Sequence, residues 1–201
     1  MKTKHTHLIK LLFISALLSL LTLAGCNDKS EESSNNEEAT NLGVEVNKPN
    51  PPKIDIHSAV ISDDIDAIKQ HILTGSDLDQ KDPFGGSSPL ITAALFDKKE
   101  IVIILIEAGA DLNFKNNDGS TALHTAAFFC RPEIVKILLD NGINKTIKNN
   151  TGSTAYDAVT GAFETVKPIY DVLGQSLAPM GLKLDYAYLK ATRPQIADML
   201  K

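Results

Sequence analysis

The chain has 201 residues, with 20 Lys+Arg against 25 Asp+Glu, a formal charge of −5, 5% aromatics and no Trp. At 43% apolar and 22% charged residues, the composition fits a globular unit and excludes both a wholly disordered chain and an integral membrane bundle. The acidic balance gives no basic surface for nucleic acid, and two cysteines, Cys26 and Cys130, are too few for a disulfide scaffold.

Residues 1–25 carry no acid, and Lys2, Lys4 and Lys10 precede a 13-residue apolar stretch from Leu11 to Leu23. A positive n-region followed by an h-region too short to cross a bilayer makes a signal peptide. It ends in Leu23-Ala24-Gly25-Cys26, which resembles the lipobox of bacterial lipoproteins. The resemblance implies a diacylglyceryl group, palmitate or its like, on the Cys26 sulfur. It further implies cleavage before Cys26 and a third acyl chain on the freed amine. Two or more acyl chains anchor a protein stably where one does not. The expected location is the bacterial cell envelope, lipid-anchored. Asn27 stands where an Asp retains Gram-negative lipoproteins at the inner membrane, which points, if the cell is Gram-negative, to the outer membrane, facing the periplasm.

Residues 26–52 form a tether behind that lipid. Between 27 and 52 stand Asp28, Glu31, Glu32, Glu37, Glu38 and Glu45 against two lysines, with the run Pro49-Asn50-Pro51-Pro52. Low hydrophobicity and like charge do not offset the entropy of ordering. The sequence therefore predicts a disordered spacer, roughly 25–30 Å across as a coil. Without the signal lysines the mature chain carries −8, half of it on the tether.

From residue 53 the chain repeats. Laid over one another without a gap, 85–117 and 118–150 agree at 16 of 33 positions. A further step of 33 brings Gly119-Ser120-Thr121-Ala122 onto Gly152-Ser153-Thr154-Ala155. Self-similarity at this period marks a stack of supersecondary units. Asp118-Gly119-Ser120-Thr121-Ala122-Leu123-His124-Thr125-Ala126-Ala127 follows the D-G-x-T-P-L-H-x-A-A of ankyrin repeats. Glu133-Ile134-Val135-Lys136-Ile137-Leu138-Leu139 and Gly142 follow its E-I-V-x-L-L-L-x-x-G, and residues 53–201 resemble that family. The resemblance implies an all-α solenoid of helix-turn-helix units joined by β-hairpin loops. Four to five repeats, including degenerate caps, fall at about 53–84, 85–117, 118–150, 151–182 and a partial 183–201.

Elementary chemistry supports the same elements. Asn117-Asp118-Gly119 is a turn in which Gly supplies positive φ. Ser88 and Thr121 stand where an N-cap is needed, Pro89 at N1, and Gly109 just past a helix end. Ala93-Ala94 and Ala126-Ala127 let adjacent first helices approach closely, while Ile101, Val102, Ile104 and Leu105 give the second helix an apolar face. No helix pair buries that face alone, so stacking is obligatory. Asp63, Asp64, Lys69 and Gln70 suit a wetted N-terminal cap. Past Thr154 the pattern drifts. Val166, Ile169, Tyr170 and Leu173 predict an amphipathic helix that Pro168 kinks or starts. Arg193-Pro194-Gln195-Ile196-Ala197-Asp198-Met199-Leu200 echoes Arg131-Pro132-Glu133-Ile134-Val135-Lys136-Ile137-Leu138 at an offset of 62, which predicts a shortened fifth repeat as C-terminal cap.

Candidate chemistry is sparse. His57 and His124 fall at or near the family's T-P-L-H histidine, whose imidazole bonds within its own repeat and to the next. His71 has no partner at metal-ligand spacing, and no G-x-S-x-G, G-x-x-x-x-G-K-[ST] or H-E-x-x-H occurs. Gly85-Gly86-Ser87-Ser88 falls on a turn of the period rather than on a phosphate loop. Cys130 replaces a loop Gly between two helices and, with Cys26 lipidated, has no disulfide mate. The sequence thus predicts a monomeric non-enzyme, without metal, cofactor or nucleic acid.

The ankyrin resemblance implies a protein-binding face made of hairpin tips and first-helix ends. Here these carry Phe84, Leu95, Phe96, Phe114, Phe128 and Phe129, together with Asn117 and Ser120. Aromatics exposed in register mark interfaces; the alternative is that some tuck between repeats or cover Cys130 and the helix ends. The expected partner is another envelope protein, in a regulatory, inhibitory (including toxin immunity) or scaffolding role. A structural lipoprotein packed against the wall, and a small envelope enzyme using Asp63 and His71, are the other readings.

Overall fold

The computed structural model describes residue 50 and residues 52–201; Cys26, the signal segment and most of the tether lie outside them. In chain order the described helices are α1 (Ile56–Ser62), α2 (Ile65–Thr74), α3 (Pro89–Leu95), α4 (Lys99–Glu107), α5 (Ala122–Phe128) and α6 (Pro132–Asp140). There follow α7 (Asp157–Thr160), α8 (Phe163–Leu177), a 3-10 turn (Ala178–Met180) and α9 (Tyr186–Leu200). Among the described residues there is no strand, so the predicted β-hairpins are turns. Each has one backbone–backbone bond across the loop: Asp82 N–H to Ser87 O at 2.9 Å, Asn116 N–H to Ser120 O at 3.0 Å, Asn149 N–H to Ser153 O at 2.9 Å. One such bond per loop does not build a ladder.

Local signals set the helix ends. The Ser88 hydroxyl accepts from Ile91 N–H (3.4 Å) with Pro89 at N1, and Gly109, at φ 90°, follows the end of α4. First helices of seven residues and second helices of nine or ten are too short to persist alone in water. They persist through the faces they bury. Leu90, Ile101, Leu105, Leu123, Ile134 and Leu138 lie in one continuous core. Ala93, Ala94, Ala126 and Ala127 are fully buried and let α3 lie against α5.

The first helices stack in the order α1, α3, α5, α7 and the second helices in the order α2, α4, α6, α9, each second helix packing also on its own first helix. The pair α7–α9 is therefore a fourth repeat. This corrects the predicted boundaries at 151–182 and 183–201: the echo at 193–200 is the second helix of repeat four, and residues 161–192 are inserted ahead of it. Pro194 shows the join. The matching Pro132 is the first residue of α6, where its missing N–H costs nothing. Because α9 begins upstream at Tyr186, Pro194 falls inside the helix.

Candidate interaction surfaces

Asp82 builds the turn that displays Phe84. Its carboxylate accepts from the N–H groups of Phe84 (2.7 Å), Gly85 (2.8 Å) and Ser87 (2.5 Å). Burial pushes this carboxyl up, but the backbone donors outweigh it and hold the group below its ordinary value. Phe84 stands on that fixed turn with 88% of its surface exposed. The equivalent residues of the next two loops are tied to the loop before them, Asn117 N–H to Gly85 O (3.0 Å) and Asn150 Nδ2 to Asn117 O (2.9 Å). Gly86 has φ 66°, and a Cβ there would lie 2.3 Å from Asn117 Oδ1, so glycine is what lets successive loops close on one another. Asn117 is exposed, and Ser120 and Phe114 are half-buried. Phe114 packs on the array core with Lys81 Nζ 5.7 Å from its ring centroid.

Of the three histidines among the described residues, His57 and His124 reach the following repeat, at Thr92 and Ser153, while His71 bonds within its own, to Ile54 and Ser76. His124 Nδ1 accepts from Thr121 N–H (3.2 Å), so Nε2 carries the proton and donates to Ser153 O (3.1 Å) of the following repeat. Burial pushes its pKa down. In repeat four Asp157 takes this place, accepting from Thr154 N–H and its hydroxyl, both at 2.8 Å. His57 Nε2 donates to Gln80 O and His71 Nε2 to Ile54 O, both at 2.9 Å. Among the described residues no three His, Cys, Asp or Glu side chains converge as a metal site.

The remaining predicted aromatics are covered. Phe129 is 5% exposed, and Leu95, Phe96 and Phe128 are half-buried in a second apolar cluster, separate from the array core and completed by α8. Phe163, Val166, Tyr170, Leu173 and Leu177 follow one another along a single helical face, and all five belong to that cluster. Tyr170 stacks on Phe128 at 4.4 Å between centroids and on Phe163 at 5.8 Å. Leu95, Phe96, Phe128 and Phe129 are thus not the free face that was expected, because the insertion occupies it.

Residues 56–149 match a family model described as ankyrin repeats (3 copies). This stretch is an ankyrin-repeat array. The crystal structure of the ankyrin repeat domain of Bcl-3, described as a unique member of the IkappaB protein family, is similar at 29% identity and a TM-score of 0.50. That similarity covers 51% of this chain and 45% of that one, so the chain spans less than half the length of this solved neighbour. No curated protein matches the sequence. An ankyrin array is typically a non-catalytic scaffold for protein–protein interaction.

The ankyrin register makes the junctions at the helix ends comparable. At the turn between the two helices of a repeat, Asp63, Asp97 and Cys130 take positive φ (62°, 59°, 53°). The cation that opens the next second helix reaches back to this residue: Lys98 to Asp63 at 3.2 Å, Arg131 to Asp97 at 3.7 Å. Arg131 Nη2 also donates to Leu95 O (3.4 Å). At the third junction Cys130 stands where the acid would be. Arg193, 4% exposed, donates instead to Gly161 O (3.0 Å) and to the Tyr170 hydroxyl (3.4 Å), and that hydroxyl donates to Phe128 O. Cys130 is fully buried with its thiol 3.5 Å from Leu189 O. Burial pushes the thiol up to about 11 and the Tyr170 phenol up to about 12. Neither Tyr170 nor Arg193 was singled out as a site residue from the sequence; the Asp-to-Cys change at 130, in register with 63 and 97, was the available signal.

Proposed function

We propose that this is an envelope lipoprotein, held at the membrane by acyl chains on Cys26, whose ankyrin repeats bind another envelope protein without catalysing a reaction. Its role is regulatory, inhibitory (as in immunity to a periplasm-acting toxin) or scaffolding. The observation that carries the binding face is Phe84, a ring standing almost wholly in water on a turn fixed by three backbone hydrogen bonds. A rigidly mounted aromatic is the kind of anchor that dominates interface energetics, and it has little conformational freedom left to lose on binding. The same loop edge presents Asn117 and Ser120 beside it. The lipobox pattern and the acidic tether support the anchor, and in a Gram-negative cell Asn27 supports the outer membrane, facing the periplasm.

A photoreactive crosslinker at position 117, exposed on the loop beside Phe84, should capture one discrete protein in cells, and Phe84→Ala should weaken that capture at least about tenfold with helical content unchanged. Failure to capture any protein, with sedimentation on peptidoglycan, would support a wall-associated structural lipoprotein instead. Cys26→Ser should leave an uncleaved precursor and abolish lipid labelling. Normal maturation of that variant would remove the lipobox assignment.

A further inference from the structure

We infer that residues 162–180, α8 with the 3-10 turn behind it, form a strap that opens from the ankyrin array as a unit while the four helix pairs stay folded, uncovering the apolar ends of α3 and α5. The strap's own contacts belong to a cluster distinct from the array core, so lifting it leaves that core intact. The insertion point lies inside repeat four, yet α7 and α9 pair with each other and with α5 and α6. A stack held by nearest-neighbour contacts does not need the inserted segment. The strap is bounded by Gly161 and Gly181, and at both a Cβ would meet nothing within 4 Å. These ends pivot without disturbing packing.

The hydrogen bonds are what make two states available. Opening removes the Tyr170 hydroxyl from between Arg193 and Phe128 O. One repeat earlier the corresponding arginine, Arg131, donates directly to the corresponding carbonyl, Leu95 O. Arg193 has the same option toward Phe128 O once Tyr170 leaves, so neither a buried guanidinium nor a buried carbonyl is orphaned in the open state. In the closed state, Cys130 leaves Arg193 without the acid that holds Arg131, and the guanidinium is free to take Tyr170 and Gly161. The residue at the turn therefore biases the junction toward closure, and aromatic burial of Phe163 and Tyr170 is what opening must give up.

The full-length protein carries its own reporter. Cys130 lies wholly buried beneath the insertion, and its alkylation by N-ethylmaleimide is read on the Cys130 peptide by mass spectrometry, alongside amide exchange of the native chain. Amides of 163–177 should exchange at least about tenfold faster than those of 122–140, through an opening short of global unfolding. Tyr170→Ala should speed Cys130 alkylation about 100-fold or more with protection at 122–140 retained. Tyr170→Phe keeps the ring and should speed it severalfold. Cys130→Asp restores the acid seen at the other junctions and should accelerate exchange in 163–177 alone. A single common exchange rate for 163–177 and 122–140 in the unaltered protein overturns the inference. Tyr170→Ala destabilising both segments together, or failing to fold, does the same, because strap and array would then be one cooperative unit.

Discussion

Between the second and third repeats, Arg131 reaches back to Asp97 and to Leu95 O; between the third and fourth, Arg193 meets Cys130 and turns to Tyr170 and Gly161 instead. The turn residue has positive φ at both junctions and second helix stacks on second helix at both, although Arg131 caps the start of α6 while Arg193 lies inside α9. One side chain differs in kind. Where it is an acid, the junction closes on itself; where it is a thiol, the arginine is left to recruit a segment from elsewhere in the chain. Nearest-neighbour packing tolerates both solutions because neither alters the core behind it.

The largest effect should come from the part the two junctions share. Leu123→Ala, inside the continuous core, should cost about 2–5 kcal/mol in urea unfolding. Leu173→Ala removes the same chemistry from α8 and should move the array's transition far less. Next in size is the histidine link. His124→Ala deletes the bonds to Thr121 and Ser153 and should cost about 1–3 kcal/mol. Burial lowers the folded-state pKa of His124, so its contribution is complete above the ordinary value of 6.5 and is lost as pH falls through the folded one. The loss between pH 7.5 and 5 should be smaller in His124→Ala than in the parent.

Alkaline pH separates the junctions without a mutation. The thiol of Cys130 and the phenol of Tyr170 have raised folded-state values, so their contributions are full below the ordinary values of 9.0 and 10.0 and are lost as pH rises through about 11 for the thiol and about 12 for the phenol. The aromatic near-UV signal should therefore fall in that window before the far-UV helical signal does. The smallest change should come from Asp97→Cys, which copies the third junction onto the second. Asp97 is partly exposed and its pair with Arg131 is long, so a cost below about 1 kcal/mol is expected, measured by urea midpoint.

What the sequence displayed depended on how far each signal had to reach. The Ser88 cap, Pro89, the Gly109 helix end and the paired alanines were legible because a cap or turn answers to residues within a few positions of itself. The cross-repeat bond of His124 came with the family resemblance. The amphipathic face of α8 was legible in Val166, Tyr170 and Leu173, but Ile169, grouped with them, lies half exposed because it sits off the stripe those residues define. The partner of that face was not legible, since nothing in a local period names a surface far away in sequence. The Arg131/Arg193 echo was visible too. Its place as the second helix of repeat four was missed because contiguity of the repeats was assumed, and only the packing of α9 on α6 and α7 shows the interruption.

The point of insertion has an architectural consequence. Thr160 corresponds to Ala127 and Arg193 to Arg131, so three residues would join them where thirty-two are present. The surplus leaves and re-enters the array at one turn, which makes it a cassette: its length and sequence can change without moving any helix pair out of step. An array built this way can acquire a new appendage at the turn of any repeat while the loop edge opposite, with Phe84 at its head, keeps its spacing.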